Sequence, residues 1–436
     1  MLTSAWMGLS AIQVDNFRAF GQPAKLELRP LTLLFGYNSR GKSALGRSLP
    51  LLAASVNKDS SGPLNTRSDA ARGATFPEMK SLYGKSATIG FELSWDDDAT
   101  GVARLEARLV GGGVRAIEMV ERIDAFDRAG VRLLRLELTD DVRSLYDVTC
   151  REGQTVAVMF DFEGLVPRIL DEAPVPEDAR VQIRDVVSRL RSLEDSVHWL
   201  AAVRSLPGRR PELRGRPPRI RSDGEHAAEH LAYANANPSA PYRAIVDEAR
   251  AFYREATKHE LYIETTTIGH APGFSLALSS LEGPDVRVNL LDTGEGMAQV
   301  LPVVVLGAMA RHGALGKSPV VVIEHPELHL HPRAHEEVAL FFCRLAASCD
   351  ARFVIETHSE NFLSRVQLAV VRGEIPPEKV LVHWVWQHEA GAAVDRLALD
   401  ELGRFQGGQW PPGVFSEDTE LHRQIVKERR ARQGHA

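Results

Sequence analysis

Gly36-Tyr-Asn-Ser-Arg-Gly41-Lys42-Ser43 decides the fold. The stretch fits G-x-x-x-x-G-K-[ST], and its surroundings give the pattern meaning. An apolar run, 31–35, precedes it, and a helical pattern from about 42 to 54 follows. In a strand–loop–helix turn of this kind, glycines let backbone N–H groups converge on an anion at the helix N-terminus. Gly36, Asn38, Ser39, Gly41, Lys42, Ser43 and Ala44 are therefore candidate phosphate-binding residues. Lys42 can reach the β- and γ-phosphates as a point charge, and the Ser43 hydroxyl can ligate Mg²⁺. Without the flanking strand and helix, the same residues would read as a glycine turn with a solvated lysine.

Upstream, 11–14 and 25–28 read as short strands. Downstream, 57–77 is rich in Ser, Asp, Gly and Arg and predicts a mobile loop. From 86 to 162 the apolar residues partly alternate, which predicts an antiparallel meander. A helix is expected over 180–193 and a buried strand over 199–203. Helices are expected near 224–234 and 242–257, then a strand at 286–291. The last third alternates strand and helix: 320–323, a helix after Pro332, 351–355, a helix from about 360, and 380–386. That alternation predicts a mostly parallel sheet.

Three C-terminal stretches can carry chemistry. Val320-Val-Val-Ile-Glu324-His325-Pro326-Glu327 is an apolar strand ending in acids. A carboxylate there can hold Mg²⁺, and a neighbour can polarise the attacking water. Many buried strands end in Glu, so the stretch gains weight from standing about 280 residues after a P-loop. Ile355-Glu-Thr357-His358-Ser359 also closes an apolar strand. His358 there can hydrogen-bond a γ-phosphate, or it can sit at the surface while Ser359 caps the next helix. Asp292-Thr-Gly294-Glu-Gly296-Met-Ala-Gln299 is a glycine turn running into an apolar helix. It reads either as an anion-facing helix start or as a plain capped helix.

In this order, the four stretches resemble the ABC-ATPase head in its SMC/RecF/OLD arrangement, with a long insertion between the halves. The closest resemblance is to stand-alone OLD-like AAA ATPases without a Toprim domain, of the kind found in antiphage defence. It rests on Asn16-Phe-Arg-Ala-Phe20, Gly294-Glu-Gly-Met-Ala-Gln-Val-Leu-Pro302, Glu324-His-Pro-Glu-Leu-His-Leu-His-Pro332, Glu356-Thr-His-Ser and the tail from Gly403 through Glu417. The implied fold is α/β: a P-loop head with a mixed, largely parallel sheet, an antiparallel β subdomain and an inserted helical region. The implied units are 1–85 and 286–400 as head halves, 86–198 as a β insertion, 199–285 as a helical insertion and 401–436 as a C-terminal element.

The resemblance implies ATP and Mg²⁺ as cofactors, held by Lys42, Ser43 and Glu324, with His358 as the switch histidine. Gly294 and Gly296 would meet the γ-phosphate bound to a second copy, so a homodimer or higher assembly is expected. In ABC heads a glutamate usually follows the Walker B acid as general base. Here that position is His325, which leaves His325 or Glu327 to orient the water and suggests slow turnover. The expected role is a switch acting with a separate effector, a nuclease or toxin. A RecF-like DNA-binding ATPase and a non-hydrolysing scaffold are the alternatives.

Composition narrows the rest. The formal charge is −6, so DNA contact would need a local basic patch. Residues 204–221 hold seven arginines, four prolines and one acid. They read as a solvated loop, a phosphate or partner contact beginning at Arg204, or a nucleic-acid arm. Three cysteines without a CxxC pair suggest neither zinc nor disulfides, and a cytoplasmic setting follows. The longest apolar run, 300–310, is too short to cross a bilayer. His325, His329, His331 and His335 invite a metal reading, but no cysteine or extra acid completes a zinc set. No heptad arm is present, and about fifty residues after Trp386 leave no room for a Toprim nuclease.

Overall fold

The computed structural model describes residues 8–406, apart from 61, 112–116, 152, 170–173, 214, 269–270 and 285. An N-terminal hairpin, β1 (Leu9–Asp15) and β2 (Ala24–Glu27), leads through β3 (Leu31–Phe35) into α1 (Lys42–Ser55). After the single-turn α2 (Phe76–Met79) come β4 (Thr88–Trp95), β5 (Arg104–Gly111), β6 (Glu118–Phe126), β7 (Arg132–Asp140), β8 (Leu145–Cys150) and β9 (Thr155–Met159). A small hairpin, β10 (Asp161–Glu163) and β11 (Val166–Arg168), precedes α3 (Glu177–Ser196) and β12 (Val197–Leu200). Next are α4 (Ala227–Ala236), α5 (Tyr242–Phe252), β13 (His259–Ile268), β14 (Ala271–Ser280) and β15 (Val288–Asn289). The remainder alternates: α6 (Glu295–Arg311), β16 (Val320–Glu324), α7 (Pro332–Ser348), β17 (Arg352–Glu356), α8 (Glu360–Val371), β18 (Val380–His388) and β19 (Gly391–Ala398).

The central sheet has the order β12-β16-β17-β3-β18-β19, parallel except for the β18–β19 edge. Every residue of β3, β16 and β17 is buried, as expected for parallel strands covered on both faces. The alternation splits their side chains between two cores. Leu34, Val320, Val322 and Val354 face α1, α3 and the antiparallel sheet. Leu31, Leu33, Val321, Ile323, Phe353 and Ile355 face the layer of α4 to α8. The result is an α/β fold with a largely parallel central sheet, an antiparallel β layer on one face and a helical layer on the other.

Several expectations need correction. The 86–162 meander forms, but β4 pairs with β1, giving one eight-stranded sheet in the order β2-β1-β4-β5-β6-β7-β8-β9. A boundary at 85/86 therefore cuts through a sheet that begins in the N-terminal segment. The 57–77 stretch, expected as a mobile loop, buries Leu64, Ala70, Ala71 and Phe76. A capping box at Thr75 and Glu78 opens its last turn. The strand expected over 286–291 shrinks to Val288–Asn289 followed by a 3₁₀ turn. Within 204–221, Arg204, Arg209, Arg219 and Arg221 have partners in the fold, as described below. The tail motif after residue 406 lies outside the described residues. Among the described residues no helix is long and apolar enough to cross a membrane.

Candidate nucleotide site

Because β3, β16 and β17 run parallel, their C-terminal ends deliver three loops to one edge of the sheet. The pairing Glu324↔Glu356 and Glu356↔Leu34 sets two carboxylates beside the P-loop. Gly36 is required there: its φ is 145°, and a Cβ would lie 2.2 Å from the Val385 carbonyl oxygen. The 16–20 motif supports the loop from below. Ala392 N–H donates to the Ala19 carbonyl at 2.8 Å, and the Phe20 ring lies 3.2 Å from where a Gly41 Cβ would be.

Lys42 is buried, and its Nζ donates to the carbonyls of Gly36 at 2.7 Å and Tyr37 at 2.8 Å. Burial lowers its pKa, partly offset by the charge of Glu356. Asn38 and Ser39 are exposed on the loop. No side chain caps α1, and its first turn has no acid, so the N–H groups of the first turn are left to an anion.

The Ser43 hydroxyl donates to Glu356 Oε1 at 2.6 Å. Glu324, assigned from sequence as the metal carboxylate, is instead gripped by Arg47 one turn along α1. Arg47 Nε donates to its Oε1 at 2.5 Å, Nη2 donates to Oε2, and Trp199 Nε1 adds a bond at 3.1 Å. Glu356 is buried, and burial raises its carboxyl above the usual range, with the charge of Glu324 adding to the effect. Its Oε2 is buried without a partner. The carboxylate pair, the Ser43 hydroxyl and the open helix N-terminus fit the donor set of a Mg²⁺–nucleotide.

His325 follows with a left-handed φ of 44°. Its N–H donates to the Glu356 carbonyl at 2.8 Å. Its ring lies 4.8 Å, centroid to centroid, from that of His358. Glu327 is 5% exposed, and its Oε1 accepts from the Thr357 hydroxyl at 2.6 Å. Burial works to raise Glu327, but the nearby His325 imidazole and the hydrogen bond from Thr357 hold it below the usual range. His358 is exposed, while burial of part of its ring and the nearby His325 pull it below the ordinary histidine value. Ser359 accepts from Phe362 N–H at 3.2 Å and caps α8.

The other histidines disperse. His331 caps α7 by accepting from Arg333 N–H, His335 bonds Ser359 and Leu330, and His329 is exposed. The grouping of 325, 329, 331 and 335 as one metal set is not formed. Gly294 and Gly296 begin α6 beside a cleft of about 500 Å³, lined also by His329, His331 and Arg333. No P-loop residue among those described lines that cleft.

Arg204 explains part of the arginine–proline stretch. It is 3% exposed, and its Nη2 donates to the carbonyls of Glu324 at 2.5 Å and His325 at 3.0 Å. Burial lowers its pKa to about 10. Arg209 pairs with Asp292 at 2.6 Å, Arg219 bonds the carbonyls of Glu194 and Val197, and Arg221 pairs with Glu225 at 3.0 Å. Sequence reasoning missed Glu356, Arg47 and Trp199. Only Glu356 left a signal, an acid closing an apolar strand just before Thr357-His358.

Residues 166–364 match the family model described as "AAA domain, putative AbiEii toxin, Type IV TA system". No curated protein matches the chain in sequence. Among solved structures, an SMC head bound to the C-terminal winged-helix domain of ScpA aligns at 10% identity with a TM-score of 0.49, over 90% of this chain and 98% of that one. The SMC head domain of Thermotoga maritima aligns at 12% identity and 0.41, over 89% and 98%. An SMC head with an extended coiled coil, bound to the C-terminal domain of ScpA and derived from Pyrococcus furiosus, aligns at 10% and 0.48, over 97% and 100%. The family match covers less than half of the chain; it spans Glu324, His325, Glu327 and His358 and leaves out the P-loop pattern at 36–43.

Proposed function

We propose that the chain is an ATP-binding and hydrolysing switch that closes head to head around ATP and controls a separate effector, a nuclease or toxin, in an antiphage defence complex. The carrying observation is the separation of the two half-sites. The Gly294–Gly296 turn borders its own cleft, away from the P-loop, and a Cβ on Gly294 would meet nothing within 4 Å. A second copy could bring that turn to the γ-phosphate, so each nucleotide would complete an interface. Arg204, Arg209, Arg219 and Arg221, four of the seven arginines of 204–221, are paired within the chain, which weighs against their use in a nucleic-acid arm.

In this reading, bound Mg²⁺ supplies Lewis acidity at the phosphates. Lys42 and the N–H groups of 41–44 bind the phosphate oxygens. Ser43 and Glu356 would hold the ion, with Glu324 joining them if Arg47 released it. His325 or Glu327 orients the water, and His358 donates to the γ-phosphate. The site lacks a glutamate after Glu324, so hydrolysis is expected to be slow. The effector is tested by a tagged pull-down from the native host in ATP and Mg²⁺, read by mass spectrometry. A stoichiometric nuclease or toxin is the expected result. Recovery of DNA alone would overturn the effector reading in favour of a DNA-binding ATPase.

A further inference from the structure

We infer that His325, Glu327 and His358 form a site for a divalent transition ion of the zinc class, distinct from the Mg²⁺ position at Ser43. One ligand atom from each of the three lies within 4.8 Å of the others. In a zinc site with bonds of about 2.0–2.1 Å, ligand atoms stand about 3.3–3.5 Å apart, so side-chain shifts of about 1 Å close the set. A water supplies the fourth position.

The surroundings orient two of the ligands. Thr357 donates to Glu327 Oε1, and Glu327 Oε2 is buried without a partner. His325 Nδ1 is likewise buried without a partner and lies 3.8 Å from Glu327 Oε1. Its other ring nitrogen, Nε2, lies 3.6 Å from Glu356 Oε1. A carboxylate behind the far nitrogen of a ligating histidine fixes its tautomer and strengthens it as a donor. His358 completes the set from the exposed side, which provides an entry path.

The chemistry selects the ion. Two imidazoles and one carboxylate suit zinc, cobalt or nickel better than Mg²⁺, which prefers oxygen ligands and keeps its waters. An ion here would occupy the space assigned above to the attacking water, so its binding should slow ATP turnover. The site itself does not depend on nucleotide.

The test uses the full chain stripped with EDTA, without nucleotide, titrated with Zn²⁺ by calorimetry and with Co²⁺ by visible absorption. One ion per chain is expected, with cobalt bands of a four- or five-coordinate site. His325→Ala and His358→Ala should each weaken binding at least about tenfold, and Glu356→Gln about tenfold. The pair His329→Ala and His331→Ala should leave it unchanged, and Lys42→Ala should lose nucleotide while keeping zinc. If an alanine variant fails to fold, His325→Gln and His358→Gln preserve shape and serve instead. Binding that survives both His325 and His358 variants, or that vanishes with His329 and His331, overturns the site. So does affinity no better than millimolar.

Discussion

Glu356 makes opposite predictions for stability and for function. Its carboxyl is raised above its ordinary value of 4.5, first by burial. The protonated form therefore favours the fold: that contribution is full below pH 4.5 and is lost as pH rises through the raised value. Glu356→Gln should melt at a higher temperature than the wild type at pH 8 and at the same temperature near pH 4, by calorimetry. The same variant should lose Mg²⁺-dependent turnover, because an amide cannot replace the carboxylate beside Ser43. His325 gives the second residue-scale test. His325→Glu restores a general base after Glu324 and should raise hydrolysis about tenfold or more; an unchanged or slower rate would remove His325 as the cause of slow turnover. That Lys42 and Ser43 open a helix and Glu324 closes a strand was legible because their neighbours in sequence are strand, glycine and helix signals. Glu356 was not, because its closeness to Ser43 comes from the pairing of β17 with β3, whose residues stand far apart in sequence.

At the scale of elements, α6 is tied to β16 through one arginine. Gln299 Nε2 donates to the Arg204 carbonyl at 2.9 Å, and the Arg204 guanidinium holds the carbonyls of Glu324 and His325. A shift of the α6 N-terminus therefore reaches the acids through a short, buried chain. Arg204→Ala strips two buried carbonyls of their donor and should cost about 3 kcal/mol, read as a lower urea midpoint with unchanged slope. No loss of stability would mean that water replaces the guanidinium. Gly296 marks the other side of this contact, since a Cβ there would lie 2.5 Å from the His329 carbonyl oxygen. The arginine–proline composition of 204–221 hid all this. Composition reports how a segment is solvated on average, whereas Arg204 is buried where its guanidinium meets the end of β16. The 86–162 meander was legible from its alternation, but its junction with β1 was not, because strand pairing at that distance leaves no local pattern.

For the whole molecule, the proposed switch is a statement about mass. The chain with ATP and Mg²⁺ should sediment as a dimer, and without nucleotide as a monomer. Lys42→Ala removes a charge-assisted contact of about 1.5–3 kcal/mol, so ATP affinity should fall roughly ten- to hundredfold, with the dimer lost at the same ATP concentration. Unchanged affinity would remove the P-loop assignment, and retained affinity without dimerisation would remove the head-to-head closure alone.

The place of β3 between β17 and β18 matters before the protein is ever finished. Roughly 300 residues separate β3 from β17, which at ~5–20 residues per second is about 15–60 s of translation. Through that interval β3 leaves the ribosome with neither neighbour made and with the four apolar side chains of Leu31, Leu33, Leu34 and Phe35 lacking those strands. An interrupted chain thus holds a P-loop with no acids facing it. Only a ribosome that has passed His358 has made all the groups of the site, so products stopped earlier should not hydrolyse ATP.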